Sequence, residues 1–340
     1  NTPRFEYDPV TLQPKGLLLE STQTNLILQS NNFTSGPWAK CSSLITSSTT
    51  TAPDGSTVSV YPFSNIECLF QDVAISSGVD VTHSIWIKAN KTATIGFRIP
   101  GISTFTNQDI TVGTSWQRYT ISNTSSHTVS RLLIDNRSGN GYGVTGLELS
   151  FFGAQVEYNS FASSYIPTTS ATVTRAADNF TLPIGSWYNA ASQTLWGRAY
   201  ANGANPGSAA TFADINNNSF NERFQIRFQG GPLYGGIITS AGSVQSALSG
   251  GSLAFGQTKS ISLTSSTNNA ALSANGNIIT TDSSVIMPTA ATQLRVGAVA
   301  NGAEMLNGGL EQLKYYPVRV SNTQLQLLTP RRRQTGAVHA

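Results

Sequence analysis

The residues best suited to chemistry in this sequence are aromatic side chains in turn-like segments, and the chemistry they suit is the recognition of sugars. A Tyr or Trp ring offers an apolar face on which the C–H groups of a sugar can stack, and it also carries a polar atom. Neutral amides nearby can complete the hydrogen bonds to sugar hydroxyls. The predicted glycan-binding residues are Tyr142, Asn140, Trp187, Tyr188 and Tyr234.

Tyr142 is the first candidate because glycines flank it on both sides within the segment 138–143. Glycines of this kind favour an exposed turn. Packing of the ring at a strand edge is the alternative. The four other tryptophans occur in strand-like patterns and are predicted to be core residues: Trp38, Trp86, Trp116 and Trp196.

Residues for catalysis are scarce. Of the three histidines, His83 lies in a predicted strand, His127 in a polar loop and His339 near the C-terminus. No Gly-x-Ser-x-Gly motif is present, so the hydrolase nucleophile elbow is excluded. Two carboxylates about 5 to 10 Å apart could cleave a glycosidic bond, and the candidate pairs are Asp214 with Glu222, Glu304 with Glu311, and Glu148 with Glu157. Because each of these residues also fits a turn or a strand edge, no catalytic residue is assigned and the chain is predicted not to be an enzyme.

The segment 214–218, Asp-Ile-Asn-Asn-Asn, begins like a calcium-binding loop. Such a loop next needs a glycine and later a bidentate glutamate, and the sequence has Ser219 and Gln225 at those positions. A simple β-turn is therefore predicted. No spacing of His and Cys suits zinc, and no metal ligand or cofactor is assigned.

The charge pattern excludes two classes of partner. Net charge is +3, from 20 Lys and Arg against 17 Asp and Glu, and three adjacent arginines at 331–333 account for all of it. The rest of the chain lacks the spread basic stripe of a nucleic-acid-binding protein. No apolar run approaches the ~20 residues of a membrane span. We therefore predict no nucleic-acid partner and no membrane insertion.

Short strands must position the candidate residues, because helical periodicity is almost absent. Runs of β-branched and aromatic residues are broken by Gly, Asn, Ser or Pro, as in sandwiches and barrels. Asn275-Gly276 between apolar runs predicts a hairpin, and Ser321 is a suitable N-cap for one short helix. The predicted fold is all-β, and its clearest alternating runs are 82–89, 95–99, 116–121, 147–152 and 221–228.

The spacing of these runs predicts β-sandwich or barrel architecture, and the chain length suggests about two such domains in series, preceded by an extended N-terminal strap. The resemblances described below imply that both domains are β-sandwiches of the jelly-roll kind. The strap is extended because Pro3, Pro9 and Pro14 oppose a helix, and it is predicted to pack on a neighbouring domain or subunit. The predicted boundaries are 1–23 for the strap, 24–168 for the first domain, 169–192 for an extended connector, 193–329 for the second domain and 330–340 for a loose basic tail.

Three ordered motifs bracket the first predicted domain. The opening motif is Arg-Phe-Glu-Tyr-Asp-Pro at 4–9, continued by Gly-Leu-Leu-Leu-Glu at 16–20 and Thr-Asn-Leu at 24–26. The closing motifs are Gly-Ala-Gln-Val-Glu at 153–157 and the segment 164–178, which begins Ser-Tyr-Ile-Pro-Thr and ends Arg-Ala-Ala-Asp. Together they resemble a module of tailed-bacteriophage appendages, in which a jelly roll like a carbohydrate-binding module lies between such motifs.

A fourth pattern ends the second predicted domain. It consists of Gln-Leu-Arg-Val-Gly at 293–297, Leu-Asn-Gly at 306–308 and Leu-Lys-Tyr-Tyr-Pro at 313–317. It resembles the closing half of a concanavalin A-like (laminin G-like) sandwich, and the resemblance covers 193–329. Gly309 departs from the pattern, since a bulky residue often follows the Asn-Gly.

These resemblances imply a bacteriophage virion appendage, a tail or head fibre, that binds host-surface glycan without catalysis for adsorption. They imply two partners, the host cell-surface polysaccharide and other virion proteins, as well as a homotrimer. The implied location is the virion, exposed on the particle after assembly in the host cytoplasm. A purely structural virion decoration or adaptor protein is the first alternative, and a glycan-degrading depolymerase is the second.

The resemblance also bears on cysteine and calcium. Because phage structural proteins fold in a reducing cytoplasm, Cys41 and Cys68 are predicted to be buried free thiols, with a disulfide as the alternative. Sandwiches of both kinds often hold one structural calcium ion. The carboxylates that would supply such a site are Asp54, Glu157, Asp214 and Asp282.

Overall fold

The computed structural model describes residues 2–7, 13–63, 67–99, 106–202, 209–229, 233–252, 256–276 and 279–329. It is 52% strand and 3% helix, so the predicted all-β fold is confirmed. Within the described ranges, no helix is long and apolar enough to cross a membrane. The chain divides into two compact units: a central unit, Thr22–Ala176, and a split unit, which combines Asn1–Ser21 with Ala177–Ala340.

The elements up to residue 176 are fourteen strands and a 3-10 turn at Ser138–Asn140: β1 (Phe5–Tyr7), β2 (Pro14–Leu19), β3 (Gln23–Asn25), β4 (Ala39–Lys40), β5 (Ser48–Thr51), β6 (Thr57–Pro62), β7 (Cys68–Ala74), β8 (Asp80–Ala89), β9 (Ala93–Ile99), β10 (Thr106–Val112), β11 (Gln117–Thr124), β12 (Val129–Asp135), β13 (Glu148–Glu157) and β14 (Val173–Arg175). The remaining elements are β15 (Phe180–Pro183), β16 (Ser192–Ala201), β17 (Ala210–Asn216), β18 (Arg223–Gln229), β19 (Leu233–Ser240), β20 (Ser243–Ser252), β21 (Lys259–Ser266), β22 (Asn269–Ala274), β23 (Thr280–Asp282), β24 (Gln293–Val296), β25 (Gly308–Tyr316) and α1 (Asn322–Leu328).

The central unit is a sandwich of two five-stranded sheets, in the orders β10-β9-β12-β7-β4 and β11-β8-β13-β6-β5, and β3 pairs with β14. Successive side chains on a strand point to opposite faces, so each alternating run sends one set of residues into the core between the sheets. Phe151 lies in that core among other aromatic rings, 5.4 Å from Phe33 and 5.7 Å from Phe63 between ring centroids. Trp38 is buried there as predicted, whereas Trp86 and Trp116 are half-buried against a separate small cluster.

The split unit has a seven-stranded sheet, β1-β2-β25-β16-β21-β22-β23, and a six-stranded sheet, β15-β24-β17-β18-β19-β20. Its core is a second, separate cluster of buried apolar side chains, and Trp196 is buried as predicted. The predicted hairpin is confirmed, since β22 pairs with β23 across Asn275-Gly276. The predicted helix is confirmed as α1, where the Ser321 side chain accepts the Gln324 N–H at 3.2 Å.

The N-terminal segment, which the sequence predicted as a strap, is part of a sheet in the structure. Strand β2 pairs with β25, with Leu18 opposite Gly309, and β1 continues the same sheet. This pairing satisfies backbone groups that an isolated strap would leave to water. It also gives a reason for the glycine at position 309, because a Cβ there would lie 2.6 Å from the Lys15 carbonyl oxygen.

The motif residues of the central unit hold its two chain ends together. The Asn25 side-chain amide donates to the carbonyl oxygens of Ala154 (3.0 Å) and Ile166 (2.9 Å), which belong to the two closing motifs. Glu157 is fully buried and accepts the backbone N–H and the hydroxyl of Ser163. Burial raises the pKa of Glu157, and the bonds from Ser163 oppose that shift only partly.

The motif residues of the split unit form an ion cluster. Arg4 pairs with Glu20 at 2.6 Å and with Asp178, and the Glu20 N–H also donates to Asp178. These three residues come from the opening motif, its Gly-Leu-Leu-Leu-Glu continuation and the end of the last closing motif. The conspicuous sequence motifs therefore serve structure in both units.

The prediction of free thiols is wrong, because Cys41 and Cys68 form a disulfide with their Cα atoms 5.0 Å apart. Cys41 directly follows β4, whose pairing with β7 brings the two cysteines side by side, and the Cys41 N–H donates to the Cys68 carbonyl at 3.1 Å. The sequence prediction rested on the expected compartment and had no access to this strand pairing.

Reduction of the disulfide is expected to lower the free energy of unfolding by about 3 kcal/mol, since it opens a loop between residues 27 apart in sequence. The measurement is urea unfolding with and without dithiothreitol. The matched control is the double variant Cys41→Ser/Cys68→Ala, whose midpoint of urea unfolding should be the same with and without dithiothreitol. A wild-type midpoint that is the same in both conditions would contradict the expectation.

Candidate carbohydrate-binding site

Tyr142 lies on the outer face of the sheet that contains β9, β10 and β12. The loop after β12 carries its ring over Gly96, where a Cβ would lie only 2.8 Å from the ring. The Tyr142 hydroxyl donates to the Asp109 carboxylate at 2.6 Å and accepts from the Arg98 guanidinium at 3.2 Å. The guanidinium carbon of Arg98 is 5.0 Å from the ring centroid. Contacts on several sides therefore hold the ring in one orientation.

Asp135, at the end of β12, anchors the loop that carries Tyr142. Its side chain is fully buried and accepts two bonds from the Arg137 guanidinium (2.8 and 2.9 Å) and one from the Asn140 amide (2.8 Å). Arg98 lies 3.5 Å from the same carboxylate. Burial would raise the pKa of Asp135, but the bonds from Arg137 and Asn140 outweigh it and lower the pKa. The carboxylate is therefore ionised and fixes the loop conformation.

Asn140 is exposed, and the Tyr142 ring is half-buried. With Arg98, Asp109 and Arg137 these two residues form what we call the tyrosine face. On the same sheet surface Arg131 stacks on Phe70 and pairs with Asp72. An aromatic ring surrounded by an amide, guanidinium groups and a carboxylate can stack on a sugar and hydrogen bond its hydroxyls.

Sequence reasoning placed Tyr142 and Asn140 together correctly in one loop but missed Arg98, Asp109, Asp135 and Arg137. Part of the signal was present, because Arg98 lies in the predicted alternating run 95–99, whose Ile95 and Phe97 are buried. Arg98 must therefore point to the outer face. The run 95–99 alone could not show that the Tyr142 ring, from a loop more than forty residues later, lies over Gly96.

Trp187 and Tyr188 belong to the split unit, in the turn between β15 and β16. Both pack partly against the core there, and Trp187 makes an edge contact with Tyr315, 5.0 Å between centroids. The Tyr315 hydroxyl accepts the Asn189 N–H at 2.8 Å. Burial raises the pKa of Tyr188 to about 12. The geometry therefore places these rings in packing contacts, where they are partly buried.

Tyr234 lies in β19, where its backbone is opposite Phe228 of β18. Its side chain is outside the described residues. His339 is also outside them. His83 is fully buried in the core of the central unit, where its Nε2 lies 2.9 Å from the Ser130 hydroxyl, and burial lowers its pKa to about 3.

The structure does not group the carboxylates as the sequence candidates did. Asp214 lies near Glu304, because the guanidinium of Arg223 is 3.5 Å from Asp214 and 3.6 Å from Glu304. Glu222 instead accepts the backbone N–H of Ala241. The other candidates have separate partners: Glu311 pairs with Arg198, Glu148 accepts from Ser47, and Glu157 accepts from Ser163.

Among the residues that the structure describes, no group of three or more His, Cys, Asp or Glu is arranged to hold a metal ion. The proposed calcium carboxylates have other partners. Asp54 accepts from Ser56 and Asp282 accepts from Ser284, each within its own turn. The calcium-like segment begins on strand β17 and reaches its turn only at Asn218, which has a positive φ of 62°.

The fold and site define a protein of two β-sandwich units, one of which carries the tyrosine face on the outer surface of a sheet. No protein-family model matches the sequence, and no curated protein matches it. Among solved structures, the chain is similar to the CBM40 module of the Ruminococcus gnavus IT-sialidase, with a TM-score of 0.36 and 15% identity over 42% of this chain and 84% of that one.

Two further solved structures resemble part of the chain. One is the NanB sialidase from Streptococcus pneumoniae, with a TM-score of 0.37 and 15% identity over 44% of this chain and 26% of that one. The other is a heptameric SAP-like pentraxin from Limulus polyphemus, with a TM-score of 0.34 and 16% identity over 43% of this chain and 70% of that one. Each similarity covers less than half of this chain.

Proposed function

We propose that this chain binds glycan without catalysis through the tyrosine face of its central unit. The observation that carries the proposal is the orientation of the Tyr142 ring, which lies over Gly96 and is held by Asp109 and Arg98. A ring that is fixed before the ligand arrives loses little conformational freedom on binding. This preorganisation is what a weakly bound, heavily hydrated ligand such as a sugar requires.

The ligand would stack the C–H face of one sugar ring on Tyr142. The exposed amide of Asn140 and the partly exposed guanidinium of Arg137 lie at the edge of the same loop and would bond sugar hydroxyls. Asp135 would act through these two residues, because it holds both in place. Asp135 is thus a positioning residue that does not touch the sugar.

Binding is favoured over hydrolysis by the state of the carboxylates on this face. A glycosidase needs one carboxyl group with a raised pKa to donate a proton to the leaving oxygen. The pKa of Asp135 is lowered, and its oxygens are occupied by Arg137 and Asn140. Asp109 is bonded to the Tyr142 hydroxyl. Neither is arranged to act as the acid.

We propose further that the glycan is host-surface polysaccharide and that the chain is part of a bacteriophage appendage, a tail or head fibre, with other virion proteins and two further copies of itself as partners. The ordered motifs support this proposal. Antibodies against the chain should label purified particles of the encoding phage. Sedimentation equilibrium should give about three times the chain mass of 36.1 kDa if the assembly is a trimer.

Tyr142→Ala is expected to weaken glycan binding about tenfold, because it removes the stacking ring. Tyr142→Phe keeps the ring but loses its bonds to Asp109 and Arg98, so we expect a loss of about threefold. The measurement is affinity electrophoresis of the full chain through gels that contain host surface polysaccharide, with reducing-end release assayed in parallel.

The matched control is Tyr158→Ala, which removes a tyrosine of the same unit that is 41% exposed and should leave binding unchanged. Binding by wild type that Tyr142→Ala does not weaken would contradict the tyrosine face as the site. No binding at all would favour a structural decoration, and release of reducing ends would favour a depolymerase.

A further inference from the structure

The six-stranded sheet of the split unit carries a second, unusual surface. Neighbouring strands β24, β17 and β18 bury Leu294, Ile215 and Phe224 on one side, so alternation turns polar residues to the other side. Across the strands these polar residues form three rows, which we call the polar face: Gln293–Asn216–Arg223, Arg295–Asp214–Gln225, and Thr211–Arg227.

Glu304 reaches onto the polar face from the loop before β25. Its carboxylate accepts two bonds from Arg227 (2.9 and 3.0 Å) and one from Gln225 (2.9 Å). Its backbone has a positive φ of 49°, a conformation that costs energy in a residue with a side chain. Two carboxylates therefore face three arginines, which leaves an excess of one positive charge on this surface.

The excess charge is located near Arg295. Arg295 and Asp214 are direct cross-strand neighbours, yet the buried Nε of Arg295 and the buried Oδ1 of Asp214 have no hydrogen-bond partner within the described ranges. Asp214 is fully buried. The Arg295 guanidinium is partly exposed, so its positive charge is complementary to a carboxylate on a ligand, whereas the buried Asp214 carboxylate is out of a ligand's reach.

An exposed aromatic ring lies at the end of the same surface. Phe220 is 43% exposed, and the Arg223 guanidinium lies 4.9 Å from its ring centroid. Hydrogen bonds inside the loop fix its shape, from Asn218 N–H to Asn216 (2.8 Å) and from the Ser219 hydroxyl to Asn217 (2.6 Å). A single apolar ring among amides is suited to stacking on a sugar.

We propose that the polar face is a second glycan-binding site, selective for short oligosaccharides that carry carboxylate groups, such as oligouronates. One sugar would stack on Phe220, and the carboxylate of another would bond the Arg295 guanidinium. Arg223 and Arg295 are on strands separated by β17, so the two ends of the site are roughly 10 Å apart across the sheet, the reach of two or three sugars. The inference rests on the proposed function only in taking a glycan as the ligand.

Two other ligand classes fit this surface poorly. A metal cation would be repelled by Arg223, Arg227 and Arg295, which outnumber the carboxylates. Hydrolysis would need an accessible carboxyl group as proton donor, and Asp214 is fully buried. Guanidinium groups and planar carboxylates, by contrast, form paired bonds of high specificity.

The test uses trigalacturonate as the acidic probe and maltotriose as the neutral one, with calorimetric titration of the full chain. Phe220→Ala and Arg295→Gln are each expected to weaken trigalacturonate binding about tenfold. Arg295→Lys keeps the positive charge but loses the planar set of N–H donors of the guanidinium. Its affinity should therefore lie between those of wild type and Arg295→Gln. Phe5→Ala removes a ring of β1 that is more exposed than Phe220, at 62% against 43%, and should change nothing. Thermal unfolding of every variant confirms that it is folded.

Tyr142→Ala separates this proposal from the proposed function. If trigalacturonate binding survives Tyr142→Ala and is lost in Phe220→Ala and Arg295→Gln, the second site is supported. If wild type does not bind trigalacturonate, or if only Tyr142→Ala weakens its binding, the second site is refuted, and polysaccharide binding at the tyrosine face is still judged by its own assay.

Discussion

Acidification from pH 7 to pH 3 is expected to remove up to about 5 kcal/mol from the free energy of unfolding of the central unit through His83 alone. The ring is fully buried, and burial lowers its pKa from 6.5 to about 3. At pH values between these two pKa values, His83 binds a proton in the unfolded chain but not in the folded chain. The free energy of unfolding therefore decreases as the pH falls from about 6.5 towards 3. The contribution is fully present above pH 6.5.

The measurement is urea unfolding at pH 7, 5 and 3.5 for wild type and His83→Gln. Glutamine does not titrate and can still hydrogen bond the Ser130 hydroxyl, which lies 2.9 Å from the His83 ring. The variant should therefore lose less stability on acidification than wild type. His127→Gln, at a half-buried position of the same unit, is the control. Equal pH dependence in wild type and His83→Gln would show that the expectation is wrong.

Asp214→Asn is expected to stabilise the split unit by about 3 kcal/mol at pH 7.5. Burial raises the pKa of Asp214 from 3.8 to about 6, although the charge of Arg223 and a bond from Asn216 oppose the shift. Between these values the folded state keeps a proton that the unfolded state releases, so stability falls as the pH rises from about 3.8 to 6. Above pH 6 the buried charge of Asp214 lowers the free energy of unfolding by its full amount, and the neutral amide of the Asp214→Asn variant removes this destabilisation.

The stabilisation should shrink to a few tenths of a kcal/mol at about pH 3.5, where Asp214 is mostly protonated in both the folded and the unfolded state. Chemical unfolding at the two pH values measures this difference. Glu304→Gln is the matched variant, and it should destabilise at neutral pH, because bonds from Gln225 and Arg227 outweigh burial and lower the pKa of Glu304. If Asp214→Asn has the same effect at both pH values, the buried charge is not its cause.

The structure also shows which of its features could be predicted from the sequence. The alternating runs became strands, Asn275-Gly276 formed its hairpin, and Ser321 capped α1. Each depends on residues a few positions apart. The three ordered motifs were recognised as a pattern, but their roles in holding chain ends together depend on partners 129 and 174 positions away.

The two wrong predictions, of free thiols and of the carboxylate pairs, have one cause in common. Cys41 bonds to Cys68 because β4 pairs with β7, and Asp214 shares Arg223 with Glu304 because a distant loop crosses the polar face. The predicted partner of Asp214 was Glu222, eight residues along the chain. Proximity in sequence was a poor guide, since antiparallel sheets bring together residues from strands far apart.

By itself the sequence determined the all-β class, the positions of the clearest alternating strands and the polar character of their outer faces, because alternation and turn chemistry act over a few residues. Only the tertiary structure decided which side chains meet on those faces. A shift of one residue in strand register exchanges the two faces of a strand, and register is set by the packing of whole sheets. Tyr142 over Gly96, and Arg295 beside Asp214, exist only at that level.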